Sequence, residues 1–237
     1  MSGYIAVVDY HKGNLLSVEQ AVDAAGGTAC VTDALDKITQ AQGVIVPGVG
    51  AFADAMEYME ASGQAAAIKA CAQAGVPILG ICLGMQLLFE RGNEHAASFG
   101  SQVGGGATCA QTSEGGSSQA PQWVAGLGLL GGEVVRMEGS GVKVPHMGWN
   151  SAMLTKQADI CPLWRSIEEG TYFYFTHSYV CEPLDPGIIV ARTEHALPFV
   201  SAIWDGGRIF GCQFHPEKSS GAGARIIRNF VRLCEEG

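Results

Sequence analysis

The sequence predicts an α/β fold in which an open, mostly parallel sheet carries helices on both faces and is extended by an antiparallel section. Over residues 4–91, short apolar runs alternate with helical stretches of about 10 to 15 residues, which is the pattern of βαβ units. After residues 95–122, β-like runs follow one another closely, as in antiparallel pairing. Hydrophobic residues make up 47% of the 237 residues and charged residues 16%, so the chain can bury a sizeable core.

The first half alternates strands and helices, with glycine at several of the boundaries. The run YIAVVDY at residues 4–10 is apolar up to its polar end, as in a buried parallel strand. The stretch GNLLSVEQAVDAAGG at residues 13–27 has helical spacing and closes with two glycines, a signal for a helix C-terminus. The same criteria predict strands at residues 28–32, 43–48 and 76–81 and helices at residues 53–63, 64–75 and 83–91.

The second half predicts the antiparallel section and a closing amphipathic helix at residues 222–236. Before it, residues 95–122 are dominated by Gly, Ser, Ala, Thr and Gln without a period, which predicts a flexible surface insertion. We therefore expect one domain over residues 1–237 that carries this insertion. The β-like runs lie at residues 132–137, 170–180, 187–195, 198–206 and 208–215.

Charge and hydropathy exclude several classes of function. The formal net charge is −9, from 14 Lys and Arg against 23 Asp and Glu, which argues against a surface for nucleic acid or an anionic membrane. The sequence has no run of about 18 apolar residues that would span a membrane. Its first residues, MSGYIAVVDY, lack the features of a secretion signal. We therefore expect a cytoplasmic protein.

The eight cysteines form neither a disulfide pattern nor a zinc pattern. No C-x-x-C pair or Cys/His cluster occurs among positions 30, 71, 82, 109, 161, 181, 212 and 234. In a chain of this length without a secretion signal, we expect most of them to be reduced and buried, and we expect no metal site. His95 and His195 also belong to no recognisable group, so we expect them to be structural or at the surface.

One cysteine has unusual neighbours. The segment PILGICLGMQLL, residues 77–88, places Cys82 between Gly80 and Gly84 where an apolar strand turns into a helix. A sharp strand-to-helix turn that exposes a nucleophile needs small flanking residues, as in the pattern G-x-S-x-G. The helix N-terminus activates a thiol through its macrodipole and free backbone N–H groups. Taken alone, the pattern fits a nucleophile and a buried cysteine at a strand end equally well.

The segment GCQFHPEKS, residues 211–219, supplies the base and the orienting group that a cysteine nucleophile needs. His215 and Glu217 follow an apolar strand, and in extended backbone two side chains at this spacing point to the same side. Glu217 can then accept a hydrogen bond from one imidazole nitrogen while the other faces Cys82. A His-Pro-Glu segment by itself is more often a solvated turn, but together with the strand-to-helix turn at Cys82, the nucleophile elbow, it favours a catalytic triad.

A third segment, VIVPGVGAF at residues 44–52, places Gly48 and Gly50 directly after another buried strand. Flexible backbone at this edge of the sheet can present an N–H group to a developing oxyanion, beside the N–H of Leu83. Because a Pro-Gly turn after a strand is common, this segment alone is a weak indicator.

Six segments follow one another along the chain: DYHKGNLLSV (9–18), PGVGAF (47–52), GICLGMQLLFE (80–90), VPHMGWN (144–150), YFYFTHSYV (172–180) and GCQFHPEKS (211–219). Together and in this order they resemble the class I glutamine amidotransferases. The elbow and the His-Pro-Glu segment identify the class, whereas VPHMGWN and PGVGAF are similar to its glutaminase subunits of imidazole glycerol phosphate synthase. The resemblance covers nearly the whole chain except residues 95–122, and it implies a flavodoxin-like sheet.

The resemblance implies hydrolysis of glutamine, without a cofactor, by a triad of Cys82, His215 and Glu217. Cys82 would attack the side-chain amide and form a γ-glutamyl thioester with release of ammonia. Water activated by His215 would then release glutamate. The resemblance also implies two sets of binding groups: for the oxyanion, the N–H of Leu83 and one from Gly48, Val49 or Gly50; for the substrate's α-amino and carboxylate groups, Gly50, Gln86, His177, Ser178 and Tyr179.

The implied partner is a (β/α)₈-barrel cyclase that uses the ammonia to make imidazole glycerol phosphate and aminoimidazole carboxamide ribotide in histidine biosynthesis. This chain has no phosphate loop and few basic residues, which agrees with an acceptor site on another polypeptide. By resemblance, Trp149, Asn150 and Lys218 would face the cyclase and its ammonia entrance. The alternative for Trp149 is a core aromatic residue.

Three alternatives remain at this stage. A glutaminase that serves another acceptor would use the same chemistry, and VPHMGWN with PGVG argues against it. A hydrolase or stress-response protein on the same scaffold would place its histidine differently and would not need the His-Pro-Glu segment. A non-catalytic regulatory subunit would have no reason to keep the triad, Gln86 and the oxyanion loop.

Overall fold

A computed structural model describes residues 3–94, 123–138 and 141–236. The predicted insertion at residues 95–122, which includes His95, lies outside the described residues. The helices are α1 Leu15–Ala24, α2 Leu35–Thr39, α3 Phe52–Ser62, α4 Gln64–Gln73, α5 Leu83–Leu87 and α6 Ser220–Glu235. The strands are β1 Ile5–Val8, β2 Ala29–Thr32, β3 Gly43–Val46, β4 Ile78–Ile81, β5 Phe89–Gly92, β6 Val124–Ala125, β7 Leu130–Arg136, β8 His146–Ser151, β9 Met153–Leu154, β10 Tyr172–His177, β11 Tyr179–Pro183, β12 Ile189–His195, β13 Leu197–Trp204 and β14 Ile209–Cys212.

The main sheet has eight strands in the order β2-β1-β3-β4-β14-β13-β12-β9. The pairs among β2, β1, β3, β4 and β14 are parallel, and the pairs from β14 through β13 and β12 to β9 are antiparallel. This open sheet with an antiparallel extension confirms the predicted fold class. Because β3, β4 and β14 are parallel neighbours, their carboxyl ends meet at one edge of the sheet.

Each face of the sheet buries its own apolar layer. Along β1, the side chains of Ile5 and Val7 belong to one core cluster, and those of Ala6 and Val8 belong to the other. This follows from the two-residue period of a strand, and it explains why the buried strands are continuously apolar. Helices α1 and α6 contribute to the first cluster, and α2, α3 and α4 contribute to the second. The predicted helices on both faces are therefore confirmed.

The helix predicted at residues 83–91 is wrong in its second half. Helix α5 ends at Leu87, and Phe89–Gly92 forms β5, which pairs in parallel with β7 in a smaller sheet of order β11-β7-β5-β6. Phe89 is fully buried in the second core cluster. Tertiary packing thus overrides the helix-forming tendency of these residues.

Within the described ranges, no helix is long and apolar enough to cross a membrane. In the same ranges, no three His, Cys, Asp or Glu side chains are grouped as metal ligands. The seven described cysteines are free thiols, and all of them are buried except Cys30, which is half-buried.

Candidate active site

The nucleophile elbow lies between β4 and α5, with Cys82 in a strained conformation. Its backbone has φ 54°, a value that residues other than glycine rarely adopt. A Cβ on Gly80 would lie 2.6 Å from the amide nitrogen of Met85, and a Cβ on Gly84 would lie 1.7 Å from the carbonyl oxygen of Val46. The flanking glycines are therefore required by close backbone approach.

The imidazole of His215 and the carboxylate of Glu217 form a buried pair beside the elbow. Nδ1 of His215 lies 2.8 Å from Oε1 of Glu217, and the two side chains are 2% and 1% exposed. The pair does not arise from extended backbone as expected: β14 ends at Cys212, and Pro216–Lys218 forms one turn of 3₁₀ helix. The turn folds the carboxylate back toward the ring, which an extended segment would not do.

The charge state of His215 is set by its neighbours. Burial alone lowers the pKa of His215, but the nearby Cys82 side chain and the hydrogen-bonded carboxylate of Glu217 outweigh burial and raise it to about 10. Nδ1 of His215 is hydrogen-bonded to Glu217, whereas Nε2 is buried and has no hydrogen-bond partner among the described residues, so Nε2 is the nitrogen left to exchange a proton at the elbow. The raised pKa favours the protonated ring, which holds a proton that a leaving amine can take.

The loop after β3 is anchored by a buried tyrosine. The hydroxyl of Tyr10 donates a hydrogen bond to the carbonyl oxygen of Pro47, and a Cβ on Gly48 would lie 2.0 Å from this hydroxyl. Gly50 has φ 109°, which favours glycine, and Val49 is exposed. The structure thus brings the predicted oxyanion loop to the elbow, with its first residues anchored and its far end in a conformation that only glycine adopts readily.

A cavity of about 270 Å³ lies at the elbow, with Cys82 among its lining residues. Most of the residues predicted for the oxyanion and the substrate line it, whereas Gly48 does not and lies close to Leu83 and Gly84. Its volume suits a ligand of amino-acid size. The lining residues are Val49, Gly50, Cys82, Leu83, Gln86, Glu94, Pro145, Thr176, His177, Ser178 and Tyr179.

Glu94 is a lining residue that the sequence analysis missed. Its carboxylate accepts a 3.0 Å hydrogen bond from the backbone N–H of Phe52, at the start of α3. Burial raises the pKa of Glu94, and the Phe52 hydrogen bond partly opposes this rise. Glu94 stands at the border of the insertion, outside every motif, so only its position in the fold reveals it.

The ring of His177 does not present a free nitrogen to the cavity. Nδ1 lies 2.9 Å from the carbonyl oxygen of Tyr179, and Nε2 lies 3.1 Å from Nδ1 of His146. His195, which we expected to belong to no group, stacks on His146 with 4.2 Å between ring centroids. This is a packing contact, in keeping with a structural or surface position for His195, and it forms because β8 and β12, far apart in sequence, pack together here.

The residues predicted for the cyclase interface lie at or near the surface. Trp149 is 51% exposed, so it is not a core residue, and its ring meets Tyr174 edge-on at 6.2 Å. The carbonyl oxygen of Tyr174 in turn accepts a hydrogen bond from the backbone N–H of His215. Lys218 is exposed on the 3₁₀ turn that follows His215, and Asn150 is half-buried on β8. The surface around Trp149 therefore adjoins the segment that carries the imidazole.

Comparison with known proteins decides the family. Residues 6–234 match the family model described as glutamine amidotransferase class-I. The chain belongs to the class I glutamine amidotransferases.

The chain is 46% identical to the imidazole glycerol phosphate synthase subunit HisH of Moorella thermoacetica, over 97% of this chain and 94% of that protein. It is 40% identical to HisH of Bacillus cytotoxicus, over 98% and 96% of the two chains. Within the class, it belongs to the HisH family, which confirms the resemblance seen in the motifs.

More distant solved structures share the fold. PurLQS from Thermotoga maritima aligns over 98% of this chain and 99% of its own, with a TM-score of 0.64 and 17% identity. The glutaminase domain of Trypanosoma brucei CTPS with bound acivicin aligns over 99% and 94%, with a TM-score of 0.64 and 16% identity. At this identity the likeness concerns the fold alone.

Proposed function

We propose that this chain hydrolyses glutamine through Cys82, His215 and Glu217 and delivers the ammonia to a (β/α)₈-barrel cyclase. The observation that carries the proposal is the strained Cys82 at the floor of an amino-acid-sized cavity, beside a buried imidazole–carboxylate pair. Membership of the HisH family supports the choice of cyclase over other ammonia acceptors.

The first half-reaction uses the sulfur and the imidazolium. The Cys82 thiolate attacks the side-chain carbonyl carbon of glutamine, and the oxyanion forms toward the N–H of Leu83 and the loop of Val49 and Gly50. His215 gives its proton to the leaving nitrogen, so ammonia departs and a γ-glutamyl thioester remains. The neutral imidazole then takes a proton from water, which attacks the thioester and releases glutamate. Glu217 holds the ring in place and stabilises its charged form.

The α-groups of glutamine have matching partners among the other lining residues of the cavity. Glu94 is the acidic side chain among them, so we assign it to the α-ammonium group. Both N–H bonds of the Gln86 amide are used within the protein, to Tyr179 and Gln213, which leaves its oxygen as a second acceptor for the same group. Ser178 and Tyr179 also line the cavity, where they can bind the carboxylate.

Replacing Glu94 with glutamine is expected to raise the KM for glutamine about 10- to 100-fold with a smaller change in kcat. The substitution removes a charged hydrogen bond to a part of the substrate that does not react, so ground state and transition state lose it alike. Steady-state glutamate release measures both constants. Glu57→Gln, at an exposed position on α3, is the matched control. An unchanged KM would remove Glu94 from the binding site.

An exposed apolar patch supports docking of the cyclase next to the site. Met147 and Trp149 on β8 and Tyr172 on the paired strand β10 are 65%, 51% and 60% exposed. Aromatic residues and methionine are enriched in the cores of protein interfaces. Trp149→Ala should raise the Kd of the complex with a cyclase subunit of imidazole glycerol phosphate synthase. Leu184→Ala, at an exposed leucine elsewhere on the surface, should leave this Kd unchanged.

The proposed function is tested by glutamate release from glutamine, with the purified chain alone and with the cyclase and its nucleotide ligand. Low release alone and a large rise in the complex are expected, because docking would complete the oxyanion loop. Full release by the chain alone would keep the triad and remove the control by the partner. Release in neither case would contradict the proposal.

A further inference from the structure

The Cys82 sulfur has polar neighbours besides His215. The side-chain nitrogen of Gln213 lies 3.6 Å from Sγ, and Gln213 is fully buried. The carbonyl oxygen of Thr176 lies 3.7 Å from Sγ. A carbonyl oxygen only accepts hydrogen bonds, so it can stabilise the thiol but not the thiolate. The amide of Gln213 can donate, and donation to an ionised acceptor gives the stronger bond.

The orientation of the Gln213 amide follows from a backbone group. Nε2 of Gln86 lies 3.0 Å from the carbonyl oxygen of Tyr179 and 3.1 Å from Oε1 of Gln213. Because the backbone carbonyl can only accept, Gln86 must present its NH₂ group there, and Gln213 must meet it with its oxygen. The NH₂ group of Gln213 therefore faces the sulfur.

The carbonyl oxygen of Tyr179 is also the end of a second chain of hydrogen bonds. It accepts from Nδ1 of His177, so Nδ1 carries the proton and Nε2 does not. Nδ1 of His146 must then donate to Nε2 of His177, at 3.1 Å. Nε2 of His146 accepts from the side-chain NH₂ of Asn150, at 3.3 Å. Donors and acceptors match only if both rings are neutral and protonated on Nδ1.

The Asn150 end of this hydrogen-bond chain independently requires the same direction of donors and acceptors. The Asn150 oxygen accepts from the backbone N–H of Ser151, and its nitrogen donates to the carbonyl oxygen of Glu194, each at 2.8 Å. These two backbone groups orient the amide so that its N–H meets His146. Burial lowers the pKa of His146 to about 4 and the pKa of His177 to about 3, so both rings are neutral at pH 7.

We propose that Gln213 is a catalytic residue that donates an N–H to the Cys82 thiolate, and that the hydrogen-bond chain from Asn150 holds Gln213 in this orientation. The inference rests on the proposed glutaminase function, in which the sulfur reacts as a thiolate. His146 is a positioning residue, because it acts through its neighbours and does not touch the sulfur. The donor increases the fraction of thiolate and also limits the directions in which the sulfur can move.

The titratable groups around the sulfur simplify a test by pH. Besides His215, Tyr10 and Cys181 interact electrostatically with Cys82. Burial raises the pKa of Tyr10 and of Cys181 well above their usual ranges, so both stay neutral between pH 5 and 9. His215 keeps its carboxylate partner in every variant named below. A difference between variants in the pH midpoint of Cys82 alkylation therefore reports the Gln213 donor.

The first test measures alkylation of Cys82 by iodoacetamide as a function of pH, followed on the Cys82 peptide by mass spectrometry. Gln213→Met keeps the length of the side chain and removes the donor, so the midpoint should rise by about one pH unit. Gln64→Met, at another fully buried glutamine remote from the sulfur, should leave the midpoint unchanged. An unchanged midpoint in Gln213→Met would overturn the proposal.

The second test concerns the hydrogen-bond chain from Asn150 through His146 and His177. His146→Phe should shift the alkylation midpoint in the same direction, and His146→Gln, which can both donate and accept, should restore it. In the unmodified protein, ¹⁵N chemical shifts should show His146 and His177 neutral and protonated on Nδ1 at pH 7. An Nε2–H tautomer at either ring would refute the proposed hydrogen-bond chain. Because this measurement uses the unmodified protein, it does not depend on whether the variants fold. Alkylation needs no glutamine turnover, so failure of the proposed function would be seen separately, as absent glutamate release.

Discussion

Glutamine hydrolysis by the Cys82→Ser variant is expected to be about 10³-fold slower or more, with the fold unchanged. A serine hydroxyl is a far weaker nucleophile than a thiolate, so its attack on the side-chain amide carbon of glutamine is slow. The elbow backbone does not depend on the sulfur, because its strain is imposed by the strand and helix on either side. Glutamate release by the variant in complex with the cyclase measures the effect.

Two controls make the Cys82→Ser result specific. The thermal unfolding midpoint should stay within a few degrees of that of the unmodified chain, since one sulfur is replaced by one oxygen at a site open to a cavity. Cys30→Ser, at a half-buried cysteine on the edge strand β2, should keep full activity. If Cys82→Ser hydrolysed glutamine at the original rate, a different nucleophile would have to be sought.

Gly84→Ala is expected to lower the free energy of unfolding by about 3 kcal/mol or more, or to prevent recovery of folded protein. The added Cβ would lie 1.7 Å from the carbonyl oxygen of Val46, which belongs to β3. Since Val46 pairs with Gly80 on β4, neither strand can withdraw without breaking the ladder. A clash with paired backbone is costly because no flexible side chain can move aside.

Thermal or denaturant unfolding of the purified variants tests this prediction. For a chain of this size, the expected loss corresponds to a fall in Tm of roughly 6 to 12 °C. Gly221→Ala is the matched control, because a Cβ there meets no atom within 4 Å and Gly221 lies within α6. Alanine in a helix is at least as stable as glycine, so the control should be neutral or slightly stabilising. Equal Tm values for the two variants would show that the elbow can relax.

Short-range features were enough to predict the parts of the molecule that depend on local backbone. The G-x-C-x-G pattern placed the elbow because a strand-to-helix turn demands small residues within two positions of the nucleophile. Continuous apolar runs identified β1, β3 and β4 because both faces of each strand are buried. The prediction failed at Phe89, where helix-forming residues enter a strand because the second core buries them.

The site itself was predictable only where its residues lie in motifs. His215 and Glu217 are two positions apart, so their pairing could be expected, although the 3₁₀ turn that forms it could not. Glu94 and Gln213 carry no local signal for their roles. Their positions depend on how β5, β14 and the elbow meet, which involves residues more than 40 positions apart.

The amino-acid order was therefore sufficient for the family, the sheet with helices on both faces, and the chemical identity of the proposed triad. Packing was needed to reveal the carboxylate of Glu94 in the cavity, the neutral histidine pair, and the amide that faces the sulfur. The physical reason is the range of the interactions. Turns and strand periods are set by neighbours in the chain, whereas a hydrogen-bond network is set by which donors and acceptors the completed fold brings within about 3 Å.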